Sequence, residues 1–454
     1  MPLDVDADVL IVGSGAAGAT CARVLAAAGR RVVVVEEGGP PQPASSAAEA
    51  LGVLYRDAGT TTALGSDPMP ILQGRCLGGT TVVNGAIQVA LPRDVWEEWP
   101  QLHALLPWDA LEAARERNDD ELGVAPTPEA LWGGSGAALR RALPGASPIR
   151  RNTPGCRGSG RCLQGCPHGG KASVDRAMLP LAEADGALVF ARCAARSVTL
   201  RNGRATGVIG RFSSGARFVG RAPLVIVAAS AIQTPRLLAR SGVGGVGRGF
   251  MCHPGAAVAG LFPDPLAQGG TQTMEFLAHR QRGYKLETLA MAGVLRATKV
   301  PGVGPVLVER LARLDHVALW GVACRAEAKG RVWAGPSVWW SPTRRDRKVL
   351  LEGLATAAVA MLEAGATEVW PGVYGAPETI TRIEDARRLA IVAPDAGVTA
   401  LATTHLFGGV TVGARAEVLP GLVVADSSLF PSNIGVNPMS AIMAVARVIA
   451  EAWA

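Results

Sequence analysis

A strand–helix–strand unit carrying a glycine fingerprint limits the folds open to this chain more than any other feature of its sequence. The apolar run Asp8–Gly13 leads directly into the letters GSGAAG at 13–18, and a stretch rich in alanine and leucine, Ala17–Ala28, follows as a predicted helix. Gly29 ends that helix, and Arg31–Val35 form a second predicted strand. Because the fingerprint lies between a strand and a helix, it predicts the dinucleotide-binding turn of a doubly wound parallel sheet.

Each glycine of the fingerprint has a separate task in such a turn. Gly13 permits the tight turn, Gly15 lets the backbone approach a pyrophosphate, and Gly18 lets the helix pack closely against the strand. The helix N-terminus faces the phosphates, and Glu36, at the end of the second strand, is placed to hold ribose hydroxyls. An acid at this position disfavours a 2′-phosphate, but the motif by itself leaves NAD and FAD open.

Composition and charge exclude several classes of protein. The chain has 454 residues, 48% of them hydrophobic, which is enough for two or three domains with real cores and excludes intrinsic disorder. The formal charge of +7 comes mostly from arginines scattered among acids, and the densest basic run, Arg344–Lys348, opens a predicted helix, so we predict no nucleic-acid partner.

Apolar runs such as Leu224–Ala229 fall far short of the ~20 residues that span a bilayer, so we predict no transmembrane segment. Asp4, Asp6 and Asp8 stand where an export signal needs positive charge, and we expect a cytoplasmic protein.

Further motifs, in a fixed order along the chain, separate the two cofactors. They are GRCLGGTTVVNG at 74–85, AASAIQTPRLLARSG at 228–242, GRGFMCHP at 247–254, HLFGGVTVG at 405–413, GLVVADSSLFP at 421–431 and GVNP at 435–438. With the N-terminal fingerprint, these segments resemble the glucose–methanol–choline (GMC) oxidoreductases over roughly residues 7–98, 151–258 and 400–454. The resemblance is weakest over 259–399, where the substrate domain of that family varies most.

The resemblance implies the fold class and a division into two domains. We expect an α/β fold in which a Rossmann-like FAD-binding domain is interleaved with an antiparallel-sheet substrate domain. The expected ranges are 1–100, 151–258 and 400–454 for the discontinuous FAD-binding domain, and 101–150 and 259–399 for the substrate-binding domain. Within the substrate part, the sequence predicts a hairpin of two strands, His316–Glu327 and Arg331–Ser341, followed by a helix over Thr343–Glu363.

The resemblance also implies FAD as the cofactor. Some members of the family link FAD covalently through a histidine just before Asn84, and Val83 stands in that position here, so non-covalent FAD is expected. Asp426 falls where the family contacts the ribityl–phosphate region, and Val198 where its backbone meets the adenine. The expected cofactor contacts are Gly13, Gly15, Ala16, Ala17, Gly18, Glu36, Gly78, Gly79, Thr80, Asn84, Gly85, Val198, Asp426 and Pro438.

Two residues are expected to carry the reaction that the resemblance implies, the oxidation of an alcohol by hydride transfer to flavin N5. His405 occupies the catalytic-histidine segment of the family and is the predicted base, since the ordinary pKa of histidine lies near working pH. Asn437 matches the second catalytic position and can hold the substrate oxygen, but it cannot exchange a proton. Leu406 departs from the proline that usually follows the histidine. Some relatives place an extra carboxylate near the flavin, and Glu275 and Glu287 are the candidates.

Three of the eight cysteines, Cys156, Cys162 and Cys166, lie within eleven residues in a glycine-rich stretch. Their spacing and the Cys-Pro ending resemble the segment that holds a 3Fe–4S cluster in bacterial GMC dehydrogenases. A cluster would imply an external one-electron acceptor such as a cytochrome. A disulfide with one spare thiol, plain thiols, and a zinc site completed by His168 are the alternatives.

The main functional hypothesis is an FAD-dependent GMC alcohol dehydrogenase or oxidase that acts on a small-molecule alcohol, with a lipophilic or bulky one favoured. Two alternatives stay open at this point. One is a GMC-type flavoprotein with another reaction, such as lyase chemistry or desaturation beside a carbonyl. The other is an NAD-dependent Rossmann dehydrogenase.

Overall fold

A mostly parallel six-stranded sheet is the centre of the structure, a computed structural model that describes residues 3–454. Its strands lie in the spatial order Glu417–Leu419, Leu422–Val424, Leu224–Val227, Val9–Val12, Val32–Val35 and Leu188–Phe190. All neighbours pair in parallel except the edge strand Glu417–Leu419, which is antiparallel to its neighbour. The four inner strands are runs of valine, leucine and isoleucine that are buried along their whole length, as expected when both faces of a parallel sheet are covered. The predicted α/β fold with a Rossmann-like unit is confirmed.

Helices from distant parts of the chain cover this sheet. The helix of the glycine fingerprint, Ala16–Ala27, begins and ends one residue before the predicted Ala17–Ala28. It packs against the helix Met439–Glu451, which in turn packs against Trp108–Leu122. These helices and the sheet share one hydrophobic core, so the first and last parts of the chain pack together in the same core.

A small four-stranded sheet lies beside the central one. Its strands follow the order Leu3–Asp6, Arg217–Arg221, Arg204–Phe212 and Cys193–Arg201. The first pair is parallel and the other two pairs are antiparallel. Three of its strands lie in sequence between two strands of the central sheet, Leu188–Phe190 and Leu224–Val227, and the fourth, Leu3–Asp6, precedes that sheet.

Two further six-stranded sheets complete the main architecture, and the second of them takes strands from the ranges predicted for both domains. One has the order Glu368–Trp370, Gly255–Leu261, Val317–Cys324, Tyr284–Thr288, Met274–Phe276 and Ser147–Pro148. The other has the order Leu406–Phe407, Arg248–Cys252, Gly330–Val332, Val338–Trp339, Thr62–Leu64 and Met69–Pro70. The helix Arg344–Glu363, which begins at a capping box between Thr343 and Asp346, packs on the first of these sheets.

The predicted hairpin of His316–Glu327 with Arg331–Ser341 is wrong. The strand Val317–Cys324 pairs with Gly255–Leu261 and Tyr284–Thr288, whereas Gly330–Val332 pairs within the other sheet. The chain leaves one sheet and enters the other over residues 325–329. Because both edges of Val317–Cys324 are already paired, no edge is left for the predicted partner, and the N–H of Glu327 donates to the carboxylate of Asp346.

The remaining elements are short. The other α-helices are Ala47–Leu54, Arg93–Glu97, Gly133–Ala142, Val174–Ala177, Leu179–Ala184, Ser230–Arg240, Val294–Ala297, Gly304–Ala312 and Ile383–Arg388, and a two-stranded sheet pairs Ala125–Pro126 with Arg150–Arg151. Within residues 3–454, no helix has the length and apolar character needed to cross a membrane. The central sheet takes its strands from the ranges predicted for the FAD-binding domain, and the domain boundaries themselves stay a prediction.

Candidate active site

The three glycines of the fingerprint turn differ in what a side chain at each position would meet. A Cβ built on Gly13, whose φ is +96°, would lie 2.5 Å from the carbonyl oxygen of Ala228, and one built on Gly18 would lie 1.8 Å from the carbonyl oxygen of Gly13. A Cβ on Gly15 would meet no atom within 4 Å. Gly13 and Gly18 are therefore required by packing inside the protein, whereas Gly15 faces open space.

The helix that begins at Ala16 adds hydrogen-bond donors to this space. Gly15 is its N-cap and supplies no side chain, so the first backbone N–H groups, including that of Ala17, have no capping partner. Gly79 closes the other side of the turn, because a Cβ on it would lie 3.0 Å from the Cα of Gly15. An opening lined by free amides at a helix N-terminus suits a phosphate group.

Glu36 is buried behind the turn and is held by three donors. Its Oε2 accepts from the backbone N–H and the hydroxyl of Ser14, at 3.0 and 2.9 Å, and its Oε1 accepts from Gly38 N at 2.8 Å. Burial raises the pKa of this carboxyl group, and these hydrogen bonds oppose the rise. The Ser14 hydroxyl also accepts from Gly78 N at 3.2 Å. Ser14 therefore links Glu36, the predicted ribose contact, to the segment that begins at Gly78. Sequence reasoning did not single out Ser14, although it occupies a variable position of the fingerprint.

The segment 78–85 is tightly fitted to its surroundings. The hydroxyl of Thr80 accepts from Gly74 N at 3.0 Å, and Asn84 Oδ1 accepts from Ala86 N at 3.0 Å. A Cβ on Gly85 would lie 1.9 Å from Oε1 of Gln272, so no larger residue fits at that position without displacing Gln272. Asn84 Nδ2 lies 3.0 Å from the sulfur of Met439, at the start of the C-terminal helix.

Two buried cations donate hydrogen bonds to backbone carbonyl oxygens of the segment 78–85. The ammonium of Lys171 donates to the carbonyl oxygens of Val82, Asn84 and Cys162 at 2.6, 3.1 and 3.1 Å. The guanidinium of Arg151 donates to the carbonyl oxygen of Gly85 at 3.1 Å. Burial lowers the pKa of Lys171 to about 8. Neither residue was predicted from the sequence, because a lone basic residue carries no motif.

The other predicted cofactor contacts lie at strand and helix ends. Asp426 is buried after the strand Leu422–Val424, and its carboxylate accepts from Ser230 N and the hydroxyl of Thr234 at the start of a helix. The Val198 N–H donates to the Ser241 hydroxyl at 2.8 Å. Both residues are thus engaged in contacts within the protein. Pro438 is the N-cap of the C-terminal helix and follows Asn437 directly.

His405 and Asn437, which are 32 residues apart in sequence, face each other in the structure. His405 Nε2 lies 3.5 Å from Asn437 Nδ2. The two side chains come from different elements: His405 precedes the short strand Leu406–Phe407, and Asn437 precedes the C-terminal helix. The strand pairs with Arg248–Cys252 although Leu406 replaces the usual proline.

His253 fixes the proton on the ring of His405. The backbone N–H of Gly435 can only donate, and it lies 3.0 Å from His253 Nε2, so a neutral His253 carries its proton on Nδ1. That Nδ1 lies 3.0 Å from Nδ1 of His405, which therefore accepts, and neutral His405 carries its own proton on Nε2. Burial lowers the pKa of His405 to about 4 and that of His253 well below its usual value, so both rings are neutral near pH 7.

A buried ion pair completes the cluster around Asn437. Lys285 donates to Glu287 Oε2 at 2.6 Å and to Asn437 Oδ1, and Glu287 Oε1 accepts from Gln272 Nε2 at 2.8 Å. Burial raises the pKa of Glu287, but the ammonium of Lys285 outweighs it and holds the pKa of that carboxyl below its usual value. One of the two candidate carboxylates, Glu287, thus lies beside His405 and Asn437, and Glu275 is its cross-strand neighbour.

Comparison with known proteins agrees with this architecture. The family profile described as GMC oxidoreductase matches residues 50–255 and again 333–446, and a profile for an NAD(P)-binding Rossmann-like domain matches 11–49. An uncharacterised GMC-type oxidoreductase of Sinorhizobium fredii, y4nJ, is 31% identical over 99% of this chain and 95% of its own length. The chain belongs to the GMC oxidoreductase family.

Other relatives of this GMC oxidoreductase include a further uncharacterised protein and one with a named activity. An uncharacterised GMC-type oxidoreductase of Mycobacterium tuberculosis, Rv0492c, is 34% identical over 98% of this chain and 75% of its own length. The long-chain-alcohol oxidase FAO4B of Arabidopsis thaliana is 27% identical over 98% of this chain and 67% of its own length. Among solved structures, pyridoxine 4-oxidase from Mesorbium loti has the same fold, with a TM-score of 0.74 over 98% of this chain and 99% of the other at 15% identity.

The three clustered cysteines of this GMC oxidoreductase do not form a ligand set. Cys162 is buried, and its sulfur accepts from Nη2 of Arg151 at 3.3 Å, whereas Cys156 and Cys166 are partly exposed. Over residues 3–454, no group of three or more histidine, cysteine, aspartate or glutamate side chains is placed to hold a metal ion, and all eight cysteines are free. This arrangement does not support the predicted 3Fe–4S cluster, the zinc site or the disulfide, and plain thiols fit it.

The sulfur of Cys162 accepts a hydrogen bond from Arg151, whereas a cluster would need that sulfur as an iron ligand. Burial raises its pKa, but Arg151 and Lys171 outweigh that effect and hold the pKa of the thiol below its usual value. Cys162 is thus turned inward against these cations, and the 3Fe–4S cluster stays an unsupported prediction.

Proposed function

We propose that this protein is an FAD-dependent oxidoreductase that oxidises an alcohol to a carbonyl compound. The observation that carries the proposal is the pair of His405 Nε2 and Asn437 Nδ2, 3.5 Å apart, in which Asn437 is buried and His405 is partly exposed. The pair is linked to the segment 78–85 through Met439, which contacts Asn84, and through Gln272, which packs on Gly85. The names of the relatives, a long-chain-alcohol oxidase and a pyridoxine oxidase, support the same reaction class.

The residues of the glycine turn fit FAD. The open space at Gly15 and the uncapped amides of the helix that begins at Ala16 suit a pyrophosphate, and Glu36 suits ribose hydroxyls. When bound, FAD supplies an acceptor for the hydride that an alcohol gives up. Val83 offers no side chain for a covalent link, so denaturing the protein should release free FAD into the supernatant. Colour that stayed with the precipitated chain, or a nicotinamide in the supernatant, would contradict this assignment.

The catalytic pair has two tasks at the substrate hydroxyl. Asn437 Nδ2 donates a hydrogen bond to the oxygen, and His405 is the proposed proton acceptor at Nε2. Nε2 must be bare to accept, which requires the tautomer of His405 with its proton on Nδ1. His253 would then accept that proton's hydrogen bond and give up the bond from Gly435 N–H. The proposal therefore includes an exchange of tautomer between the two rings.

A screen of alcohols tests the proposed reaction. We expect a lipophilic or bulky alcohol to bleach the yellow colour of the anaerobic protein, with electrons passing afterwards to oxygen or to an external acceptor. The same panel run with an artificial dye and beside an oxygen electrode distinguishes an oxidase from a dehydrogenase. Failure of every alcohol to bleach a protein that contains its full complement of FAD would reject alcohol oxidation while leaving FAD binding intact.

A further inference from the structure

A lysine without a task in the proposed reaction lies at the centre of the site. Lys285 is fully buried on the strand Tyr284–Thr288, whose five residues are all buried. Its ammonium donates to Glu287 Oε2 at 2.6 Å and to the carboxamide oxygen of Asn437. Burying an ion pair costs desolvation energy that apolar residues of similar volume avoid, so its presence beside the catalytic pair calls for an explanation.

The contact with Lys285 determines which way the carboxamide of Asn437 points. An ammonium group has three donors and no acceptor, so it binds the oxygen of the carboxamide and never its NH₂ group. With Oδ1 bound to Lys285, Nδ2 is turned toward Glu287 Oε2 at 3.4 Å and His405 Nε2 at 3.5 Å. Without the ammonium, a half-turn of the carboxamide would exchange the two atoms and present an acceptor to His405.

Two donors consequently face one point in the resting site. Nδ2 of Asn437 donates, and His405 Nε2 carries a proton in the tautomer set by His253. Two N–H groups cannot bond to each other, but they can share one oxygen that has two lone pairs. The same two N–H groups face the oxygen after the exchange of tautomer, once the bare Nε2 has taken the hydroxyl proton of the alcohol. Such a pair stabilises an oxygen most strongly when negative charge develops on it.

We propose that Lys285 is a positioning residue that holds Asn437 with its NH₂ group toward the reacting oxygen, and that the site thereby favours a substrate oxygen with alkoxide character. Glu287 neutralises the buried ammonium, so that the pair orients Asn437 without adding net charge to the site. This inference rests on the proposed alcohol oxidation.

A double-mutant cycle tests whether Lys285 acts through Asn437. The variant Lys285→Met/Glu287→Gln removes both charges together, which avoids leaving one ion buried without its partner. It is compared with Asn437→Ala and with the combination of all three substitutions, by anaerobic flavin reduction with the best alcohol of the screen. Lys348→Met is the matched control, since it removes a solvent-exposed lysine.

We expect the variant lacking the ion pair to keep its FAD and to lose at least tenfold in kcat with little change in KM, because the lost interaction serves the transition state. The combined variant should be no slower than Asn437→Ala, since removal of Asn437 leaves Lys285 nothing to position. Losses that multiply, or an unchanged kcat without the ion pair, would overturn the inference. Asn437→Asp, which replaces the NH₂ donor by an acceptor of the same shape, should be at least as slow as Asn437→Ala.

A spectroscopic measurement separates failure of this inference from failure of the proposed function. In protein labelled with ¹⁵N at asparagine side chains, the Asn437 amide resonance should shift when the Lys285–Glu287 pair is removed and stay in place in Lys348→Met. An unchanged resonance would reject the positioning role even in an active enzyme. A shifted resonance in a protein that no alcohol reduces would keep the positioning role and reject alcohol oxidation.

Discussion

His405, whose ring is neutral, is the residue on which the proposed chemistry depends most directly. His405→Ala should leave FAD bound and slow flavin reduction by an alcohol roughly 10²–10⁴-fold, the usual worth of a positioned general base. Stopped-flow absorbance measures the rate, and the flavin spectrum after gel filtration serves as the control for retention. An unchanged reduction rate would remove His405 from the mechanism.

The same residue makes stability depend on pH in a defined window. Its pKa is about 4 in the folded protein, because burial penalises the charged ring, against an ordinary value of about 6.5. Between those two values the unfolded chain binds a proton that the folded protein does not, so the free energy of unfolding falls as pH drops. His405→Ala should show a shallower fall than the wild type between pH 6.5 and 4.5 in urea titrations. Flavin reduction should not decline near pH 6.5.

Gly15 offers a test of the cofactor cradle that leaves the apoprotein intact. Gly15→Val should block FAD loading, because its side chain fills space that no protein atom occupies, and the apoprotein should still fold. Gly18→Ala is the matched contrast, since its methyl group would collide with the carbonyl of Gly13 and should lower Tm. Flavin content after refolding and the Tm of each apoprotein are the two measurements. A yellow Gly15→Val protein would place the pyrophosphate elsewhere.

Single residues differ in how far the sequence could predict them. His405 and Asn437 belong to motifs whose order is informative, and the structure brings them together. Lys285 lies in the letters YKLET, where polar and apolar residues alternate as they do in a strand with one face in water. Both faces of that strand are buried, so the alternation reflects an internal polar layer that composition and periodicity cannot distinguish from an exposed one.

At the scale of elements, Lys171 joins three segments with one side chain. Lys171→Met should weaken FAD retention, because it leaves the buried carbonyl oxygens of Val82, Asn84 and Cys162 without their donor. We expect a lower Tm and a faster release of flavin fluorescence in mild urea than for Lys348→Met. Equal release rates in the two variants would show that this lysine does not hold the cofactor segment.

Elements were predictable where local and long-range signals agree. The helix Ala16–Ala27 was placed to within one residue, since glycines bound it and the fingerprint fixes its start. The helix Arg344–Glu363 was similarly clear. The predicted hairpin of His316–Glu327 with Arg331–Ser341 failed because both edges of the strand Val317–Cys324 pair with strands that are distant in sequence. No pattern within the two strands contains that information.

At the scale of the whole molecule, the free cysteines give a prediction that tests the unsupported metal site. In the native protein only Cys156 and Cys166 are partly exposed, and the other six cysteines are buried. A thiol reagent should therefore modify two cysteines quickly and all eight only after denaturation, and purified protein should contain no stoichiometric iron. Iron and acid-labile sulfide bound in proportion to flavin would instead restore the cluster.

The pairing of the earliest and latest helices has a consequence for how the protein is made. The thiol of Cys21 donates to the carbonyl oxygen of Ala446, 425 residues away, and the strand Leu422–Val424 completes the sheet that begins with Val9–Val12. At ~5–20 residues per second, a ribosome needs roughly 20–80 s to travel between these partners. During that interval the side of the first helix that packs on Met439–Glu451 has no cover. The central sheet and the packing of its first helix can therefore be completed only after the last tenth of the chain has been made, which places flavin capture late in the biogenesis of the protein.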